Sequence, residues 1–310
     1  MSDFIIRHYV PEKDLHSLSH VLTEIESVDR DGEDTSEQYL LASLEWPNYR
    51  PDQDVWVAEL DGLIVGYAVA LEQPSQHCTV YVVAHPSHRR KGLGTRLLEL
   101  TLHRAQDLGS KHIMVYANER NEGSNQFLKH LQFQRVGSSG ALKASDIQTQ
   151  PFEFPAGFTL KKYSEVHEPR ILLNALDDCY QGMWGHQHHD QRTEEELKSP
   201  RFLKYYDAED ILLLFDEKNS VIGICSLKSE GKTDANGISD LLDGPGLIPP
   251  YRDTGYQRQL VLAGIQHLRQ KGTRPVTLEF WGDDENALSI YRELGFEMTQ
   301  HYLAYHKELE

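Results

Sequence analysis

"HRRKGLGTRLLEL" occupies His88–Leu100, and "YRDTGYQRQLVLA" occupies Tyr251–Ala263. The second stretch reads as an altered copy of the first. Arg89 corresponds to Arg252, Gly92 to Gly255 and Leu97 to Leu260, each pair 163 residues apart. Two positions break the match: Gln257 stands where the first copy has Gly94, and Asp253 stands where it has Arg90.

The correspondence continues on both sides. Downstream, Leu98, Leu102, Ala105 and Leu108 form an apolar stripe at helical spacing, closed by Gly109. Val261, Ile265 and Leu268, closed by Gly272, are its counterpart. Strand-like runs follow, "HIMVYA" (His112–Ala117) and "PVTLEF" (Pro275–Phe280). "FLKHLQF", ending at Phe133, then matches "IYRELGF", ending at Phe296, still 163 residues on. Upstream, "VWVAELDGLIVGYAVAL" (Val55–Leu71) predicts a hairpin turning at Asp61-Gly62. "ILLLFDEKNSVIGICSL" (Ile211–Leu227) predicts a second, with a longer turn around Asp216–Ser220. The copies start at "FIIRHY" (Phe4) and "FTLKKY" (Phe158). A period this long means a duplicated domain, since solenoid repeats are several times shorter.

Each copy reads as strand, one or two helices, three antiparallel strands, loop, helix, strand, helix, strand. That order places the chain in the α/β (α+β) class, a mixed and mostly antiparallel sheet with helices on both faces, built twice. The expected boundaries are 1–140 for the first domain, 141–157 for a linker and 158–310 for the second. "GSSGALKASDIQTQPFEFPAG" (Gly137–Gly157), rich in Gly, Ser and Pro, suggests that linker, with room for one connecting strand.

Composition narrows the function. A chain of 310 residues, 39% hydrophobic, can build two cores of ordinary size. A net charge of −17 repels nucleic acid and anionic membrane, so neither is an expected partner, and an anionic ligand needs a local cluster of donors. Cys78, Cys179 and Cys225 show neither a disulfide framework nor zinc spacing. "MSDFIIRHYVPEKD" turns charged before any apolar run of signal length, and "ILLLF" (Ile211–Phe215) is too short to span a bilayer. The expected location is cytoplasmic. "WGHQHHD" (Trp184–Asp190) gathers His186, His188, His189 and Asp190, but adjacent histidines in a polar loop are usually solvated, and no metal is expected. "DQRTEEEL" is a capping box, Thr193 followed by Glu196, and implies no chemistry.

The first loop is built to hold phosphate. A strand ending in Val82-Val83-Ala84 leads through His85-Pro86 into Arg89-Arg90-Lys91-Gly92-Leu93-Gly94-Thr95 and then a helix. Glycine lets backbone approach an anion closely, free N–H groups of the first helical turn point at it, and three successive cations supply a local positive field.

This R-x-x-G-x-G loop between strand and helix resembles the pyrophosphate loop of the Gcn5-related N-acetyltransferases. The resemblance implies two tandem folds of that family, with acetyl-CoA as donor and an amine of a small molecule or peptide as acceptor. It implies that the pantetheine arm adds to the edge at Val82, Val83 and Ala84, and that the pyrophosphate sits on the N–H groups from Arg90 to Thr95. The family's later motif has an Asn, a Tyr seven residues on, then Gly-Phe. The first copy has Asn121 but Leu128 at the Tyr place; the second has Asp284, Tyr291 and Gly295-Phe296. Tyr291 is thereby implied as the acid that protonates the leaving thiolate, although Ala287, Leu288 and Leu294 around it equally suit a core aromatic. Asn121 equally suits a turn or cap.

Cofactor and catalytic signals thus sit on different copies. The expectation is an N-acetyltransferase with one acetyl-CoA, in the N-terminal copy. In the second copy Gln257 and Asp253 spoil the loop, and Pro245-Gly246 replaces Val82-Val83. Two alternatives stand beside it: the C-terminal copy as catalyst on an N-terminal scaffold, and a non-catalytic acyl-CoA-binding or sensing protein.

Overall fold

A computed structural model describes residues 4–43, 49–73, 77–145, 147, 150–184, 193–198, 207–234, 237–272 and 275–309. The chain divides into two compact units, Met1–Val136 with Tyr302–Glu310, and Gly137–His301.

The first unit runs β1 (Ile5–His8), α1 (Pro11–Asp29), α2 (Glu37–Ser43), α3 (Pro51–Asp54), β2 (Val55–Leu60), β3 (Leu63–Gln73), β4 (His77–Ala84), α4 (Leu93–Asp107), β5 (His112–Asn118) and α5 (Glu122–His130). Strands β1 to β5 lie in sequence order, antiparallel except for the parallel pair β4–β5. The β2–β3 hairpin turns at Asp61 and Gly62, both left-handed (φ 52° and 80°), as the Asp-Gly pair predicts. Strand alternation sorts the two faces. Val80, Val82 and Ala84 pack with Leu93, Leu97 and Leu98 of α4, whereas Tyr81 and Val83 pack with Leu18, Val21, Leu22 and Ile25 of α1. Leu18 and Leu97 are fully buried, and either cut to Ala would cost about 2–5 kcal/mol.

The second unit repeats the plan. It contains most of β6 (Gln134–Ala144), then β7 (Thr159–Lys162), α6 (Tyr163–Val166), α7 (Pro169–Asp178), α8 (Glu194–Leu197), β8 (Ile211–Phe215), β9 (Val221–Asp234), β10 (Gly237–Asp243), β11 (Gly246–Leu247), α9 (Tyr256–Lys271), β12 (Val276–Trp281), α10 (Glu285–Glu293) and the start of β13 (Glu297–Glu308). Its strand order is β7-β8-β9-β10-β12-β6, with β10–β12 parallel and β11 on β9. The second hairpin turns within Asp216–Ser220, with Asn219 left-handed (φ 60°).

One feature departs from the sequence expectation. The stretch read as the start of a linker at 141 is inside β6, whose Ser139–Ala144 pairs antiparallel with Trp281–Val276 of β12. Leu142 is fully buried in the second unit's core. The glycines that suggested a linker serve close packing instead: a Cβ at Gly140 would lie 2.1 Å from the Gln300 carbonyl oxygen. Reciprocally, the last strand of the first unit is Tyr302–Glu308 of β13, antiparallel to Asn118–His112 of β5. The two copies have exchanged their terminal strands, so the units differ from 1–140 and 158–310.

His186, His188, His189 and Asp190 lie outside the described residues. Among the described residues no group of three or more His, Cys, Asp or Glu is placed to hold a metal ion, and no helix is long and apolar enough to cross a membrane.

Candidate active site

Strands β4 and β5 are paired at only three positions, His77↔His112, Cys78↔Ile113 and Thr79↔Met114. Beyond Thr79, β4 stays on β3 while its other edge, Val80–Ala84, pairs with no strand among the described residues. The His85 N–H donates to the Val65 carbonyl on β3 at 2.9 Å. N–H direction alternates along a strand, so Val82 and Ala84 turn their N–H groups into the opening and Val83 turns its toward β3. Two of the three expected edge residues therefore offer donors.

The loop after β4 curls through two left-handed residues, Arg90 (φ 60°) and Gly92 (φ 81°). The N–H groups from Arg90 to Thr95 have no backbone partner among the described residues, and the first helical bond is Arg96 N–H to Gly92 O at 3.1 Å. Amides arranged this way at a helix start favour an anion. A Cβ on Gly94 would meet only Phe127 Cζ, at 3.7 Å, so internal packing does not demand glycine there. The space belongs to whatever approaches from outside.

The three cations have different roles. Arg89 donates from Nε to the Ala84 carbonyl (2.9 Å) and grips Asp29 with both terminal nitrogens (2.8 and 2.5 Å), which fixes the loop and leaves nothing for phosphate. Lys91 Nζ bonds the Ser87 carbonyl at 3.0 Å. Arg90 is exposed, with no side-chain partner among the described residues. Thr95, half-buried, lies in the first turn of α4.

Asn121 caps α5: its side-chain oxygen accepts from Ser124 N–H at 3.1 Å. Asp284 caps α10 in the same way, accepting from Asn286 and Ala287 N–H at 3.0 and 3.2 Å. Leu128 is core, 4% exposed.

The second copy keeps the skeleton and loses the seat. Gly255 (φ 81°) starts α9, and Arg252 Nε bonds the Leu247 carbonyl at 2.9 Å, matching Arg89 on Ala84. Its terminal nitrogen bonds the Gln181 carbonyl at 2.5 Å. Asp253, however, is not left-handed, and the Thr254 N–H folds back on Tyr251 O at 3.4 Å. Strands β10 and β12 pair at four positions, up to Asp243↔Glu279, and Gly244 N–H extends the ladder to Glu279 O at 2.9 Å. The opening is shorter, and Pro245 stands at the Val82 place with no N–H to give.

Gln257 fills the Gly94 position and donates from Nε2 to Tyr291 Oη at 3.0 Å. Tyr291 is 2% exposed among the apolar residues of α9 and α10, and burial pushes its phenol pKa up, with Gln257 opposing. A cavity of about 260 Å³ lies alongside, lined by Pro245, Arg252, Gln257, Trp281 and Asp284 among others, with Trp184 and Trp281 stacked at 6.3 Å. The three cysteines are buried, and burial pushes the Cys78 and Cys179 thiols up to about 12, which leaves no thiolate nucleophile there.

Sequence reading missed the loop after α1, where "DRDGED" (Asp29–Asp34) crowds carboxylates. Desolvation, then Asp29 and Glu26, pushes the half-buried Asp31 up to about 6, while Glu33 two residues on is exposed. The acidic run was a visible signal, but its position near β4 depends on tertiary packing.

A sheet parted beside a glycine-capped helix, in a fold made twice, defines a tandem acetyltransferase. The model of the acetyltransferase (GNAT) family matches residues 18–133 and again 170–296, most of the chain, and the chain belongs to that family. Curated relatives include the mycothiol acetyltransferase of Rhodococcus erythropolis, 28% identical over 262 residues (81% of this chain, 84% of the relative). That of Saccharopolyspora erythraea is 25% identical over 254 residues (77% and 80%). Among solved structures, a GCN5-related N-acetyltransferase from Sphaerobacter thermophilus superposes with a TM-score of 0.78, at 21% identity, covering 98% of this chain and 95% of the other. A tandem GNAT protein from the clavulanic acid biosynthesis pathway gives 0.66 at 14% identity, covering 99% and 98%. These two show the fold.

Proposed function

We propose that the chain is an acetyl-CoA-dependent N-acetyltransferase, with acetyl-CoA in the first unit and a primary amine of a small molecule or peptide as acceptor. The observation that carries this reading is the open edge of β4 beside the Arg90–Thr95 amides, which lead into α4 with no backbone partner among the described residues. Acetyl-CoA supplies the activated acyl group. Val82 and Ala84 N–H hold the pantetheine arm by strand addition, and the Arg90–Thr95 amides with the Arg90 guanidinium hold the diphosphate. Arg89 keeps the loop in shape through Asp29 and the Ala84 carbonyl. The name shared by the curated relatives favours a small-molecule acceptor over a peptide.

A second reading, with the C-terminal unit as catalyst, draws on Tyr291 at the motif position and the cavity beside it. Thiol released from acetyl-CoA in the presence of an amine panel separates the possibilities. Amine-dependent release is expected, abolished in Arg90→Glu and retained in Tyr291→Phe. Binding without release would mark a non-catalytic acyl-CoA protein. A roughly 10- to 1000-fold loss in folded Tyr291→Phe would move the chemistry to the second unit.

A further inference from the structure

The second unit keeps a cavity where its sheet parts. Past Gly244 the edge of β12 is no longer paired with β10, and β11 turns away onto β9. About 260 Å³ opens between them. Leu247 and Arg252 line it from β11 and the following loop, Trp281 and Asp284 from the end of β12, and Met183 and Trp184 from the segment after α7. Ligand pockets usually run from roughly 300 to 1,000 Å³, so this one suits a molecule of amino-acid size.

Its walls are held in place. The Trp184 ring lies on Gly137, where an added Cβ would fall 2.4 Å from it, and stacks on Trp281 at 6.3 Å and 28°. Trp281 nevertheless stays 45% exposed, an aromatic face turned outward at the cavity. Arg252 differs from its counterpart in charge balance. Arg89 spends both terminal nitrogens on the Asp29 carboxylate. Arg252, half-buried, meets only the carbonyls of Leu247, Gln181 and Cys179 and has no carboxylate partner among the described residues. A half-buried cation without a counter-ion favours an anion. On the facing wall, Asp284 caps α10 with Oδ1 alone, and its second oxygen has no partner among the described residues.

We propose that this cavity of the second unit binds an aromatic α-amino acid. The carboxylate lies on Arg252, the ammonium on the second oxygen of Asp284 and the ring on the exposed face of Trp281. A plain amine would bring a second cation to Arg252, and a plain acid a second carboxylate to Asp284; a zwitterion answers both. The inference goes beyond the acetyl-CoA seat of the first unit and rests on it in one respect. Gln257 and Pro245, which deny the cofactor its place here, leave the opening to a smaller ligand. Binding involves no covalent step.

The test titrates the full chain, without acetyl-CoA, with L-phenylalanine, phenethylamine and 3-phenylpropanoate, read by calorimetry and by tryptophan emission. L-Phenylalanine should bind, and each analogue at least about tenfold more weakly, since each lacks one charged hydrogen bond. Asp284→Asn keeps the cap, because Asn caps as well as Asp, and should bring L-phenylalanine down to the level of 3-phenylpropanoate. Arg252→Gln should bring it down to phenethylamine. Trp281→Ala should weaken all three by about tenfold. Absence of L-phenylalanine binding, equal affinity for the three probes, or an unchanged preference in Asp284→Asn overturns the amino-acid site and leaves the acetyl-CoA seat standing. Displacement of L-phenylalanine by acetyl-CoA in the Arg90→Glu chain would put the donor in the second unit and overturn both.

Discussion

At Gly94 an added Cβ would find its nearest neighbour, Phe127 Cζ, 3.7 Å away, whereas the matching Gln257 reaches Tyr291 Oη at 3.0 Å. Gly94→Gln therefore imports the second copy's obstruction into the first without a clash inside the protein. Acetyl-CoA affinity should fall at least about 100-fold while the melting temperature holds or rises, since Gln favours a helix over Gly. Calorimetric titration and a thermal melt check both. Tyr291→Phe removes one buried hydrogen bond and should cost about 1 kcal/mol without loss of turnover, read by urea unfolding beside the thiol assay. The loop and both glycines of Arg89–Gly94 were legible from sequence because their spacing is local. The target of Arg89 was not: Asp29 lies 60 residues upstream, and only the packed fold brings it within 2.8 Å. Asn121 was legible as a cap from its place before α5.

At the scale of elements, the hairpins could be read because Asp61-Gly62 names its own turn, and the helices because their stripes repeat at 3.6 residues. Strand β6 could not, since glycines needed for close packing look like linker composition. The duplication also preserves a tie between the start of β2 or β8 and the following helix. Asp54, 2% exposed, meets Arg104 Nε at 2.8 Å; Asp210, 4% exposed, meets His267 Nε2 at 2.8 Å and also pairs with Lys271. Burial opposes the charge on Asp210, but His267 and Lys271 outweigh it and hold its pKa below the ordinary value of 3.8. A lowered carboxylate stabilises the fold above its unfolded pKa and loses that contribution as pH falls through the folded one. Urea midpoints should therefore drop below about pH 4 in the wild type, and that part of the drop should vanish in Asp210→Asn, itself less stable at pH 7.

At the scale of the whole molecule, duplication was readable from the constant offset of 163, and the strand exchange was not, because both terminal strands suit either copy's pattern. A cut near residue 158 would leave each half without one of its strands. Tyr305, five residues from the chain end, is fully buried in the first unit's core and donates to Asn125 Oδ1 at 2.9 Å. Tyr305→Ala should destabilise the first unit by about 3–5 kcal/mol, seen as faster hydrogen exchange along β5. The central claim concerns which copy holds the donor. Calorimetric titration of the full chain with acetyl-CoA tests it most directly: one site per chain is expected, lost in Arg90→Glu. Two equivalent sites, or a single site that survives Arg90→Glu unchanged, would contradict it.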